Sequence, residues 1–259
     1  MPAPTLDQRL ALREKPDRPW VLLMRWSRLL FLHWEFPVDA INETLPPGLE
    51  ADTHEGKAYI GVVPFRMRGV RPRFLPTVPG ISNFLELNVR TYVHDARGNP
   101  GVWFYSLDAD QPLAVWMART FFHLNYEHAE MSSTHGDYEA EDESRMVDYA
   151  CLRRGRAETD RAVYRYAGRG EQFLAEPGSL EFFLLERYLL FSWDARRHRL
   201  FSGRVHHAPY RVQGANIQRY SSNPINWNGL VEPSRLPDHA HFSRQVEVEA
   251  YAPRVVEAG

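Results

Sequence analysis

Between residues 83 and 93 the chain reads Asn-Phe-Leu-Glu-Leu-Asn-Val-Arg-Thr-Tyr-Val, with apolar positions alternating with others. Leu85, Leu87, Val89 and Thr91 share one face, and Phe84, Glu86, Asn88, Arg90 and Tyr92 share the other. A period of two predicts a β-strand whose faces meet different surroundings. On the second face a carboxylate, an amide and a guanidinium follow one another. Such neighbours lie about 7 Å apart, within reach of long side chains. Turned to solvent they would form a polar ladder. Turned into a closed sheet they would line a cavity, which is the arrangement expected.

The remaining pattern is mostly strands. Trp20–Trp26 is apolar apart from Arg25 and suits a buried strand, while Leu29–Trp34 either extends it or makes a short helix. Val38–Leu45 reads as a short helix, stopped by Pro46, Pro47 and Gly48. A hairpin is expected from Leu49–Asp52 through a turn at His54–Gly56 to Lys57–Met67, with Pro64 placing the later part at an edge or a bulge. Gly69–Gly80 holds Pro72, Pro76 and Pro79 and reads as a stiff loop, a rim or lid. Val102–Leu107 is a strand. Asp108 or Asp110 can cap a helix from Pro112, whose Leu113, Trp116, Met117 and Phe121 form a core stripe.

Phe122–Thr134 reads as a strand, followed by a polar turn at His135–Asp137 and an acidic, solvated connection over Glu139–Glu143. Met146–Arg153 and Ala162–Ala167 suit an antiparallel pair. Ser179 is placed to cap a helix running to Arg187. Tyr188–Trp193 and Leu200–His206 form a hairpin, Pro209–Pro237 is irregular, and His241–Tyr251 alternates cleanly. Many strands with few, short helices predict an α+β fold, mainly antiparallel, in a closed or cone-like sheet that hides its edges. A loose arm over residues 1–18 precedes a single domain over 19–259.

Composition narrows the function. Hydrophobic residues at 44% and charged residues at 25% are globular values. A net charge of −2 does not favour nucleic-acid binding. The only lysines are Lys15 and Lys57, and arginine cannot replace lysine as an amine nucleophile. Cys151 is alone, which fits a reducing compartment. Met1–Asp17 lacks a signal-peptide core, and Arg25, Arg28, His33 and Glu35 interrupt the most apolar stretch. A soluble cytoplasmic protein, not bound to membranes, is expected.

The order of several segments is similar to a known family. Pro-Trp at 19–20, Leu-Pro-Pro-Gly-Leu-Glu at 45–50 and Ala-Tyr-Ile-Gly-Val-Val-Pro-Phe-Arg-Met at 58–67 match it. So do Leu-Pro-Thr-Val-Pro-Gly at 75–80, the strand at 84–93, Ser-Leu-Asp-Ala at 106–109 and Phe-Phe-His-Leu at 121–124. Glu-Arg-Tyr at 186–188 and His-His-Ala-Pro-Tyr at 206–210 complete the series. The chain resembles the YqjF-like family of uncharacterised domains, within the acetoacetate decarboxylase-like superfamily. The resemblance implies a β-barrel or cone with a central pocket and a few outer helices, and a pocket glutamate at a position like Glu86. The superfamily's decarboxylases carry a Schiff-base lysine with a neighbouring lysine after the helix. The comparable stretch here, Phe121–Ala129, has none, so decarboxylation by that apparatus is not expected.

Candidate residues follow. Arg90 can hold a carboxylate or phosphate in fork geometry, and Glu86 can act as general base, with Asn88 between them. The alternative is a buried Glu86–Arg90 pair that only braces the sheet. Arg66, with Arg68, can add positive charge at the rim, or both are ordinary surface arginines. His123 stands where the related decarboxylases have lysine and can shuttle protons, or it is structural. His206 or its neighbour can face the pocket beside Tyr188 or Glu186. His239 and His241 have the spacing of two metal ligands but no third in register, so no metal is expected. No glycine-rich phosphate loop or serine-nucleophile elbow occurs, and no cofactor is expected. The expected partner is an anionic small molecule, handled either by lysine-independent acid/base chemistry or by a non-catalytic binding or sensing module. A protein-interaction scaffold is a third reading, and a homo-oligomer is compatible with all three.

Overall fold

The computed structural model describes residues 1–134 and 143–256, so the expected turn at His135–Asp137 and most of the acidic stretch Glu139–Glu143 lie outside the described residues. In chain order the elements are α1 (Leu6–Ala11), β1 (Leu22–Phe36), α2 (Val38–Asn42), β2 (Leu49–Ala51), β3 (Ala58–Pro72), β4 (Phe84–Asp95), β5 (Pro100–Ala109), α3 (Pro112–Phe122), β6 (Tyr126–Ser133), β7 (Val147–Arg153), β8 (Ala162–Leu174), α4 (Leu180–Leu185), β9 (Leu189–Asp194), β10 (Arg199–His206), β11 (Arg211–Arg219), α5 (Asn223–Asn226), β12 (His239–Ala250) and β13 (Arg254–Val255). The strands form one 13-stranded sheet in the order β13-β10-β9-β5-β6-β7-β8-β11-β12-β1-β3-β4-β2. Further pairings, β4 with β5 and β10 with β12, return the sheet on itself and make it ring-like. Pairing is antiparallel except where β5 meets β6 and β9.

Local faults in the strands shape this ring. β1 runs unbroken through residues 29–34, with no helix. Its alternation changes phase because Arg28 takes a positive φ of 54° and the register with β3 slips between Ser27 and Leu32. Pro64 lies opposite that break, so it occupies a bulged interior strand paired on both sides and not an edge. A second slip, between Leu23 and Arg25, coincides with Gly69 at φ 59°, a conformation that glycine tolerates.

Several expectations need correction. β2 pairs with β4, not with β3, and only a single bridge, His54 to Lys57, joins the expected hairpin's turn. Gln111 caps α3 by accepting from the Leu113 amide, because both aspartates are engaged elsewhere. Asp110 accepts from the Leu85 amide, and Asp108 is held by Arg153. The α3 stripe is not all core: Val115 is buried, but Trp116 and Phe121 are 56% and 57% exposed. Phe122 closes that helix, and the following strand starts at Tyr126. The region expected to be irregular contains β11. Its own residues alternate poorly, but it is fixed by pairing with β8 and β12. The arm is fastened. Thr5 and Gln8 form a capping box on α1, and Arg9 makes two 2.7 Å hydrogen bonds to Asp52.

β4 is the dividing wall. Leu87 and Val89 pack into one core with Leu30, Leu32, Ile60 and Val62. Phe84 and Tyr92 belong to a second core on the other side, with Phe31, Phe65 and Phe183.

Where β5 pairs with β9 the strands approach closely at Gly101, where an added Cβ would lie 2.8 Å from the Leu189 carbonyl oxygen and 2.7 Å from the Phe191 ring. Gly101→Ala should lower unfolding stability by about 1–3 kcal/mol through overpacking, read from the midpoint of urea denaturation. An unchanged midpoint would show that the two strands separate freely.

Candidate functional site

Inside the ring lies a cavity of about 480 Å³. β4 supplies Phe84, Glu86, Asn88 and Arg90 to its wall, the face singled out by the alternation. β1 contributes Met24 and Trp26 before its bulge, and Leu29 and Phe31 after it. The extra residue at Arg28 shifts the phase, so both halves of β1 face inward. β3 behaves alike: Val63, Phe65 and Met67 face the cavity before Gly69, and Val70 and Pro72 after it. Most of the wall is apolar, and its charged groups are few.

Glu86 is buried, and the Tyr126 hydroxyl donates to its Oε2 at 2.6 Å. Burial pushes its carboxyl up to about 7. Hydrogen bonds from Tyr126 and Asn88 oppose this, and the charge of Asp108 adds to it. Tyr149 donates to the Glu86 backbone carbonyl at 2.7 Å, so β7 fixes this stretch of strand. The alternative of a mutually satisfied Glu86–Arg90 pair is not what forms: Glu86 is met by a phenol and an amide.

Arg90 is buried and no carboxylate among the described residues reaches it. Its Nη2 donates to the Leu184 carbonyl at 3.3 Å and to the Tyr92 hydroxyl at 3.5 Å, and its Nε has no partner. The guanidinium lies 5.6 Å from the Phe31 ring centroid and 5.7 Å from that of Tyr92. Arg187, also buried, lines the same cavity. Its Nη1 donates to Asp52 at 2.7 Å and its Nε to the Phe183 carbonyl at 2.7 Å, while Nη2 is unpartnered. Burial brings its pKa down to about 10 against the attraction of Asp52.

Asp52 is shared with Arg9. Three guanidiniums (Arg9, Arg90, Arg187) against one carboxylate leave this end of the cavity with an excess of two positive charges. His33 does not add to it, since burial and the nearby Arg90 hold its pKa well below the usual histidine range. Tyr92 donates to the Leu184 carbonyl at 2.7 Å, so its oxygen accepts from His33 Nε2 at 2.7 Å.

The other expected residues lie elsewhere. Arg66 alternates with the inward residues Phe65 and Met67, so it faces away from the cavity and donates to the Ser133 carbonyl at 3.0 Å. His123 ends α3 in a left-handed conformation and stacks on Phe201 at 4.8 Å, away from the cavity wall. The Tyr188 hydroxyl donates to the Glu186 carboxylate, and its ring stacks on His207 at 4.6 Å, outside the lining. His206 does not line the cavity either. Its neighbour His207 packs between Tyr188 and Tyr210, and burial pushes its pKa down to about 4.

Arg187, Tyr126 and Tyr210 line the cavity and were not among the sequence candidates. Arg187 was present in the Glu-Arg-Tyr segment, but nothing local marked it as inward. Both lysines are at the surface, Lys15 paired with Glu249 and Lys57 with Glu35. Among the described residues no group of three metal-ligating side chains gathers, and no helix is long and apolar enough to cross a membrane.

Comparison with known proteins gives a consistent picture. The sequence pattern of DUF2071, described as an uncharacterised conserved protein, matches residues 23–247. The uncharacterised protein YqjF of Bacillus subtilis (strain 168) is 37% identical over 235 residues, covering 90% of this chain and 91% of that one. Among solved structures, the enduracididine biosynthesis enzyme MppR complexed with pyruvate is similar with a TM-score of 0.62 at 14% identity, covering 94% of this chain and 93% of that one. Acetoacetate decarboxylase from Legionella pneumophila is similar with a TM-score of 0.61 at 13% identity, covering 99% and 92%. At such identities these two likenesses carry the fold alone.

Glu86 should leave a pH signature. Its native pKa of about 7 lies above the ordinary 4.5, so the native state holds its proton where the unfolded chain has lost it. Stability should therefore fall as pH rises from about 4.5 to about 7 and level off above, by roughly 3 kcal/mol at most. Glu86→Gln should remove this component of the slope and be more stable than wild type at pH 8. Urea denaturation of both proteins across pH 4.5–8.5 checks this, and parallel pH profiles would contradict it.

Proposed function

This chain belongs to the DUF2071 family and has the acetoacetate decarboxylase-like fold, and from that premise we propose that it binds an organic acid in its central cavity. The observation that carries this reading is Arg90. It is buried, it faces the cavity, no carboxylate among the described residues meets it, and its Nε is unpartnered. A buried charge without a counter-charge is costly, and an acid's carboxylate would relieve it. Arg187 supplies a second unpartnered donor, Nη2, from the same wall. The structurally similar MppR has been seen with pyruvate, itself a carboxylate.

Acid/base chemistry at Glu86 is the catalytic form of this proposal. A carboxyl that titrates near 7 can both accept and return a proton at neutral pH. As carboxylate it would take a proton from the acid's carbon skeleton, while Tyr126 and Asn88 hold it in place and the arginines steady the growing negative charge. No lysine lines the cavity, so a Schiff base has no amine to form on. A binding or sensing role without turnover is the second reading. It is favoured by the Tyr126 hydroxyl, which already occupies one oxygen of Glu86.

Titration calorimetry with a panel of carboxylates tests the proposal. Arg90→Gln should weaken binding by about 2–5 kcal/mol, the loss expected for one partner of a buried charged pair, without altering the fold by circular dichroism. Equal affinity in wild type and variant would overturn the assignment. Glu86→Gln should keep the affinity and abolish exchange of the acid's α-hydrogens for deuterium, followed by NMR. If wild type shows no exchange, the binding reading stands alone.

A further inference from the structure

Building on the acid-binding reading, we propose that the ligand is an amphipathic monocarboxylate whose carboxylate meets Arg90 and Arg187 and whose unbranched apolar chain runs along β4 to the loop at residues 73–83. Three observations carry this further step.

The first is size. A volume of about 480 Å³ has room for roughly sixteen water-sized groups at about 30 Å³ each. A short acid anchored at Arg90 would fill a minor part. The remainder would hold water against a wall offering it few polar partners, which is unfavourable.

The second is layout. β4 sets the lining in order: Phe84 nearest the 73–83 loop, then Glu86, Asn88 and Arg90. Six residues at about 3.3 Å each span roughly 20 Å. The unpartnered donors of Arg90 and Arg187 sit at the far end of that line, whereas Arg204 lines the wall elsewhere, with its Nη2 donating to the Leu12 and Glu14 carbonyls. Away from Arg90 and Arg187 the wall is formed by Phe65, Trp26 and the thioethers of Met24, Met67 and Met117, side chains that adapt to flexible apolar ligands. Glu86, halfway along, is held by Tyr126 at Oε2, and burial raises its pKa to about 7, so below neutrality it presents little charge to a passing chain.

The third is the entrance. Leu75, Val78 and Ile81 of the loop and Leu113 of α3 both line the cavity and stand exposed. An opening rimmed by aliphatic side chains admits an apolar chain and gives a small hydrated anion nothing to bind.

The test is a chain-length series on the wild-type protein, from butanoate through hexanoate, octanoate and decanoate to dodecanoate, by titration calorimetry. Affinity should rise roughly fourfold per methylene, flatten once the cavity is full, and keep a stoichiometry of one. Decanol, which has the chain without the charge, should bind at least about tenfold more weakly than decanoate, and Arg90→Gln should abolish that preference. One-site binding with no dependence on chain length would overturn this inference and leave the acid-binding reading standing. Multiple weak sites for the long acids would overturn it too, by showing adsorption on the exposed face of α3. If no acid of any length binds, both readings fall together.

Discussion

β4 is buried on both faces, and the rest of the structure answers to that constraint. A strand with apolar residues on both sides would need nothing further. This one carries Glu86, Asn88 and Arg90 on the cavity side, where water cannot serve them freely. Their partners come from distant parts of the chain: Tyr126 from β6 for Glu86, and the Leu184 carbonyl of α4 for Arg90. Tyr149 of β7 ties the backbone at Glu86. The ring of strands is therefore also a device that delivers these partners.

Shape and charge divide the cavity between them. Two bulges, at Arg28 and Gly69, turn the phase of β1 and β3 so that apolar residues face inward over residues 22–31 and 63–72. Two of the lining guanidiniums, Arg90 and Arg187, stand together at one end. Asp52 joins Arg187 to Arg9 of the N-terminal helix, so that helix is tied to a cavity-lining side chain through a single shared carboxylate. Asp52 cannot neutralise three guanidiniums, and the surplus stays at Arg90. A planar guanidinium offers paired donors in a fixed fork, which no aliphatic residue could supply.

The fold is that of acetoacetate decarboxylase-like proteins, but the amine that the resemblance associates with Schiff-base chemistry is missing from the wall. At the corresponding place α3 ends in His123, which is turned against Phe201 and away from the cavity. What remains is a carboxyl poised near neutrality and a pair of buried cations. One fold can carry different side chains on its wall, and function follows those side chains more than the fold itself.

That Glu86, Asn88 and Arg90 share one face of β4 was legible in the sequence, because a period of two allows only two faces; that this face lines the cavity was decided by the closed sheet. The helix caps at Ser179, the hairpin of β9 and β10 and the absence of an inward lysine were local facts of the same kind. Tertiary structure decided the rest. Whether Arg66, Tyr188, His206 or His123 faced the cavity depended on bulges, on a left-handed helix end and on neighbouring rings, none of which leaves a periodic trace. β11 was hidden because its pairing with β8 and β12, and not its own hydrophobicity, holds it. Arg187 acquired its place only when Asp52, 135 residues away, came beside it. Alternation is set by backbone geometry one residue at a time, whereas the meeting of remote charges exists only once the ring has closed.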